Sequence, residues 1–426
     1  MSVLTRRQWL AGVGAGAVAL NPRMLLAADG FPPVRAVTRG PKFHWFGYYD
    51  KFGFSADNRY LLSNQVDFEH RSPTADDVIR VGMVDLADGD RWIELGESRA
   101  WGWQQGCMLQ WRPHHNSEVL WNDRVDGQFV CHVLDVKSGK KRTLPKPIYT
   151  VSPDGAWGLS VDFSRIEWLR PGYGYAGVPD RFRQQTIPTE IGIDRIDLTT
   201  GKSHRLVSLA DAARIPHQNA DVTSHWHWFN HLLINPTGDR FIFLNRWRKI
   251  TEPTAEAVAK QTFHTRMFTA NADGSDLYVL DPSGKTSHFI WRDPDTVCAW
   301  TQPLGKKAAF YLLRDRTQEI EVVGEEKMVV NGHNTYLPIR GAEWILNDTY
   351  PDKSRLQTPY LYNVETSQRI DLGKFLSPPE YKGEWRCDLH PRASRDGRLV
   401  SIDSTHEGHG RQQYIIDIAA LVGAAS

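Results

Sequence analysis

The 426-residue sequence sets 51 Lys and Arg against 50 Asp and Glu. So even a balance argues against nucleic acid or an anionic membrane surface as the main partner. The length suffices for one large core or for two domains, and the four scattered cysteines show no C-x-x-C pair and imply no particular disulfide.

The chain opens on Thr5-Arg6-Arg7-Gln8-Trp9-Leu10, then a short Gly/Ala-rich apolar run to Leu20 and Leu25-Leu26-Ala27-Ala28. This is the pattern of a twin-arginine export signal over residues 1–28, too short and too glycine-rich for a membrane span. The expectation is a periplasmic or secreted protein with one folded domain over residues 29–426.

Beyond the leader, a 3.6-residue apolar period is almost absent, and only Val207 to Ala213 and Ala255 to Gln261 read as helical. Short alternating strands punctuated by Gly, Asp, Asn and Pro predict an all-β chain. Seven times a turn signal precedes a short strand: Ser55-Ala56-Asp57-Asn58, Pro113-His114-His115-Asn116, Ser152-Pro153-Asp154-Gly155, Asn235-Pro236-Thr237-Gly238, Asp293-Pro294-Asp295, Pro338-Ile339-Arg340-Gly341 and Ser394-Arg395-Asp396-Gly397. Repeats of this kind close most naturally as a seven-bladed β-propeller, in which radial repetition leaves few exposed edges; a two-domain β-sandwich is the alternative. Sixteen tryptophans suit β-sheet cores, and flat apolar faces also suit stacking on sugar rings.

Polar clusters stand just ahead of the repeated turns: Phe43-His44-Trp45, His225-Trp226-His227-Trp228-Phe229-Asn230-His231, Asn331-Gly332-His333, and Cys387-Asp388-Leu389-His390. If the blades are equivalent, His231, His333 and His390 begin corresponding innermost strands and face one another across the channel. Three imidazoles there suit a divalent ion such as Mn or Zn; the plainer reading is that each binds a neighbouring blade. Arg165, Arg170 (opening Arg170-Pro171-Gly172-Tyr173-Gly174-Tyr175) and Arg266 are candidate anchors for a substrate carboxylate. Tyr175 and Trp228 are candidate sugar-contacting aromatics.

The order Asn230-His231, Asn235-Pro236-Thr237, Arg266-Met267-Phe268, Gly332-His333, His390-Pro391 and Asp396-Gly397 resembles the oligogalacturonate lyase family, propellers that cleave uronic-acid oligosaccharides by β-elimination. The resemblance implies His333 and His390 as metal ligands and Arg266 as base. It also places Cys387 where that family has a glutamine ligand, and Arg392 where a further histidine is expected. A second resemblance, to propeller ulvan lyases, implies Tyr149 with Arg165 as a base and carboxylate-neutralising pair, with His44 and His70 as partners. Both imply an acidic oligosaccharide or polysaccharide as substrate. Two other classes stay open: a non-catalytic propeller that binds acidic glycans, and a glycosidase, which needs two carboxylates flanking a cleft, with Asp50, Glu69 and Asp388 as candidates. The segment from Tyr173 to Asp221 is either a lid or a decoration of one blade.

Overall fold

The computed structural model describes residues 30–252, 254–339 and 344–423. The twin-arginine stretch lies outside them. Seven four-stranded antiparallel sheets follow one another and form a β-propeller. Blade 1 comprises Phe43–Trp45, Tyr60–Val66, Ile79–Asp85 and Arg91–Ser98. Blades 2 to 6 repeat this inner-to-outer order, and blade 6 also carries a small ribbon of Leu356–Gln357 paired with Phe375–Leu376. Blade 7 is composite. Its strands Arg392–Ala393, Leu399–Ser404 and Gln412–Asp417 take their outermost partner, Val34–Ala36, from the other end of the chain, with Val34 opposite Ile416. That pairing closes the ring and removes the edge an open blade would leave.

The repeated turn signals have a common physical basis. In blade 3, Gly155 N donates to Ser152 O at 2.8 Å while Ser152 Oγ accepts from Trp157 N at 3.1 Å. In blade 7 the same bonds run from Gly397 N to Ser394 O and from Leu399 N to Ser394 Oγ, at 3.0 and 2.9 Å. Asn58 with Ser55, and Gly238 with Asn235, repeat the backbone bond at 3.0 and 3.1 Å. The residue donating it has φ of +59° to +77° in all four, where glycine and asparagine are tolerated best. At Gly155 space matters as well, since a Cβ there would come within 2.2 Å of Pro113 O in the preceding blade.

The helices differ in part from expectation. Val207 and Ser208 end the strand Ser203–Ser208, and the helix is Leu209–Arg214, with the Ser208 side chain accepting from Asp211 N. Ala255–Lys260 is helical behind an N-cap at Thr254. An unexpected helix, Phe163–Leu169, follows the second strand of blade 3 and is capped by Asp162, whose side chain accepts from Arg165 N at 2.8 Å. Six of its seven residues are buried, so it shows no amphipathic period in the sequence. This helix packs against the inner strand of blade 4, and the loop behind it reaches across to Arg386 through Tyr173. All four cysteines are free and buried. No helix among the described residues is long and apolar enough to cross a membrane.

Candidate functional site

The innermost strands converge on the axis, and the backbone bends inside the blade 4 strand Trp226–Ile234 and just ahead of the blade 7 strand Arg392–Ala393. His231 and His390 have φ of +52° and +43°. Such angles cost a non-glycine residue conformational energy and are held only by surrounding structure. At His231 the strand pairing shifts register between Asn230 and Leu233, a bulge that re-aims the side chain. His333 precedes the inner strand of blade 6 and is fixed by Asp348, which accepts from its backbone N at 2.7 Å and from Nδ1 at 2.9 Å. With Nδ1 donating, Nε2 is left with a lone pair.

His333, Asp388 and His390 form one group whose ligating atoms all lie within 4.8 Å of one another. The His333 and His390 rings are 4.2 Å apart, and both Nε2 atoms are buried without a hydrogen-bond partner. Asp388 Oδ2 lies 4.0 Å from His390 Nε2 and accepts from Arg386 Nε at 2.7 Å. Burial holds His390, His231 and His288 well below the usual imidazole range, so they are neutral. For His333, burial is outweighed by Asp348 and the net shift is upward. Two imidazole nitrogens lacking partners and one carboxylate are a donor set that suits a divalent first-row metal. His288 adds a third imidazole ring, 4.2 Å from that of His333, with Nδ1 against Asn331 Oδ1 at 3.0 Å.

Beside this group is a pocket of about 240 Å³ lined by Arg170, Tyr173, His231, Arg246, His288 and Tyr350, among others. Arg246 is buried, and its Nε and Nη1 have no hydrogen-bond partner. Desolvation lowers it to about 10, and it stays cationic at neutral pH. The Arg170 guanidinium lies 4.5 Å from the centre of the Phe263 ring, and its Nε is also unpartnered. A buried guanidinium with free donors is costly alone and well suited to receive a carboxylate.

The other sequence candidates lie elsewhere. Arg266 pairs with Asn245 across blade 4, so it projects from the face opposite to Arg246; its nitrogens donate to Ala212 O, Ile215 O and Asn245 Oδ1 at 2.8, 2.7 and 3.2 Å. Arg165 is saturated by Asp180 and by the carbonyls of Phe182, Gln185, Thr186 and His227. Tyr149 Oη is engaged by Gln105, Asn230 and His231 N, and burial raises its phenol. His44, held down at about 4 by burial, sits between Gln412 and Gln65. His70 is exposed and packs on Tyr381. Tyr175 stacks on Phe163 at 4.2 Å, and Trp228 is fully buried in the same core. Cys387 is buried outside the metal-capable group, and burial raises its thiol. His231 lines the pocket, but its Nε2 meets Tyr48 Oη at 3.1 Å rather than the metal-capable group. Arg392, at the position where the resemblance expects a histidine, is paired with Asp403 at 2.9 Å. Of the glycosidase carboxylates, Asp50 is paired with Lys51 and Glu69 with Arg411, at 2.9 and 3.2 Å.

Sequence reasoning missed Arg246, Tyr173, Asp348, Arg386 and His288. His288 stood in Ser287-His288-Phe289, the same position before an inner strand that singled out His333. Arg386 directly precedes the Cys387-Asp388-Leu389-His390 cluster; Arg246, Asp348 and Tyr173 lack a motif and sit on a second strand, on a loop and on the inserted segment.

The fold and site together describe a seven-bladed propeller with a cation-rich pocket and a buried metal-capable group near its axis. No protein-family model matches the chain, and no curated protein matches it in sequence. Among solved structures it is similar to an oligogalacturonate lyase from Vibrio parahaemolyticus, at 14% identity over 94% of this chain and 97% of that one, with a TM-score of 0.63. An oligogalacturonate lyase in complex with manganese matches at 15% identity, 93% and 96% coverage and the same TM-score of 0.63. The propeller domain of the Trilobed protease from Pyrococcus furiosus matches at 9% identity, with coverage of 88% and 96% and a TM-score of 0.50. Identities this low establish the propeller architecture and a family-level structural resemblance to the lyases.

Proposed function

We propose that the protein is an exported lyase that cleaves a uronate-containing oligosaccharide or polysaccharide by β-elimination. The observation that carries this reading is a pocket with unpartnered cationic donors on Arg246 and Arg170 whose wall residues His288 and Tyr350 pack against His333 of the His333, Asp388 and His390 group. Elimination from a uronate begins with loss of the C5 proton, which is hard unless the adjoining carboxylate is stripped of negative charge. Arg246 and Arg170 bind and orient that carboxylate, and neither needs to give up a proton. His333, Asp388 and His390 would hold a divalent ion such as Mn or Zn, which when bound acts as a Lewis acid toward carboxylate oxygen. Asp348 keeps the His333 ring turned so that Nε2 stays available.

The likeness to a manganese-bound lyase supports the metal assignment. The test is an ultraviolet assay for unsaturated uronate with purified protein, polygalacturonate oligomers, ulvan and glucuronan, with and without chelator. Unsaturated product that falls on chelation and returns with Mn²⁺ is the expected result. Retention of these glycans with no unsaturated product would replace the lyase by a binding propeller.

A further inference from the structure

We infer that Tyr173 is the proton acceptor of this site, its oxygen held by Arg386 in the pocket that Arg170 and Arg246 also line; the inference rests on the lyase reading above. Tyr173 follows the helix Phe163–Leu169 and lines the same pocket as Arg246 and His231. Arg386 Nη2 donates to its oxygen at 2.8 Å, and the Arg170 guanidinium lies 4.8 Å from its ring centre. Arg386 is oriented in turn, since its Nε donates to Asp388 Oδ2 at 2.7 Å.

The neighbouring tyrosines are placed differently. Tyr149 is engaged by three groups, Tyr49 Oη donates to Phe289 O at 2.8 Å, and Tyr48 Oη meets His231. Burial raises each of these three phenols. For Tyr173 burial also acts upward, but Arg386 and Arg170 overcome it and the phenol falls to about 8. Asp388 opposes that fall, and Tyr48, Tyr350, His231, His333 and Arg246 are the other titratable groups turned toward it. A base whose conjugate acid titrates near the working pH is the most effective kind. Arg246, cationic throughout that range, suits the carboxylate instead.

The step balances without an added reagent. The Tyr173 phenolate oxygen takes the C5 proton, and the C5–H electron pair becomes the C4–C5 double bond. The C4–O pair leaves with the oxygen, which takes a proton from water, and the Tyr173 phenol returns its own to solvent.

Tyr173→Phe keeps the ring and removes the oxygen, and thermal melting of the variant confirms the fold. We expect its kcat on the cleaved glycan to fall by about a hundredfold or more, with KM changed far less. A readout independent of activity is the tyrosinate difference spectrum. The native protein should show a titration near pH 8 that Tyr173→Phe lacks and that Arg386→Gln moves upward. If the native protein makes no unsaturated product, the lyase reading fails. If it does, and Tyr173→Phe keeps its rate and pH profile, or the titration near pH 8 survives in that variant, the assignment of Tyr173 is overturned.

Discussion

Arg165 and Arg246 are both buried, and the structure assigns them opposite consequences on removal. Arg165 donates to Asp180 Oδ2 at 3.1 Å and to four carbonyl oxygens at 2.9 to 3.0 Å. Its side chain is 1% exposed and that of Asp180 0%. Arg165→Met therefore strands a buried carboxylate, a loss of about 3–5 kcal/mol. Each carbonyl that water cannot reach adds about 1 kcal/mol. The expected outcome is a lower denaturation midpoint, partly recovered in Arg165→Met with Asp180→Asn because the stranded charge is gone. Arg246→Met removes a desolvated cation with two unpartnered nitrogens, so stability should hold or rise. Its turnover of a uronate glycan should fall by about 100-fold or more, the loss typical when a charge-stabilising donor is removed. Paired denaturation curves and initial rates measure both quantities. An Arg165→Met protein with the native midpoint and lost turnover would refute the argument, because Arg165 would then be contacting substrate.

Three further outcomes follow from particular contacts. His333→Ala and His390→Ala should each lower Mn²⁺ affinity by about tenfold or more, read by calorimetry, while Cys387→Ser should leave it unchanged. Burial and then Glu384 raise the carboxyl of Glu167 to about 8. The folded protein thus holds that proton more tightly than the unfolded chain, and the stability this supplies is full below about 4.5 and is lost as pH rises through about 8. Glu167→Gln should therefore gain midpoint over the native protein in alkaline buffer and not in acid; an equal shift at both would refute the assignment. Gly155→Ala, which needs φ of +70° and meets Pro113 O, should cost more than Gly127→Ala, with φ of +74° and open space. The comparison isolates the clash, since the left-handed penalty of about 1 kcal/mol is common to both.

The ring was legible because its repeated parts act locally. Ser152, Ser394 and Ser55 cap the strand that follows from within five residues, and Gly155, Gly397 and Asn58 close the same turn, so each blade announces itself without reference to any other. Two of the axial histidines were legible for the same reason, as they precede inner strands at equivalent places. The arginines were not. Arg246 and Arg266 lie in neighbouring strands of blade 4 and look alike in sequence; the pairing of Asn245 with Arg266 puts Arg266 against the carbonyls of residues 212 and 215 and Arg246 over the pocket. One residue of register decides which is structural.

Tyr173 and Arg386 are a harder case, because their contact spans 213 positions and nothing local in either segment announces the other. The segment bearing Tyr173 is held down by Arg165, a residue that sequence reasoning had given a chemical task. What separates the two kinds of buried arginine is hydrogen-bond saturation. A guanidinium whose donors all meet carbonyls or a carboxylate has no capacity left for a ligand, whereas Arg246 is costly to bury unless an anion arrives. A propeller suits such a residue. The bulged inner strand of blade 4 and the clamped insertion leave Arg246 Nε and Nη1 without partners, and on the proposed reading the carboxylate of a uronate would supply them.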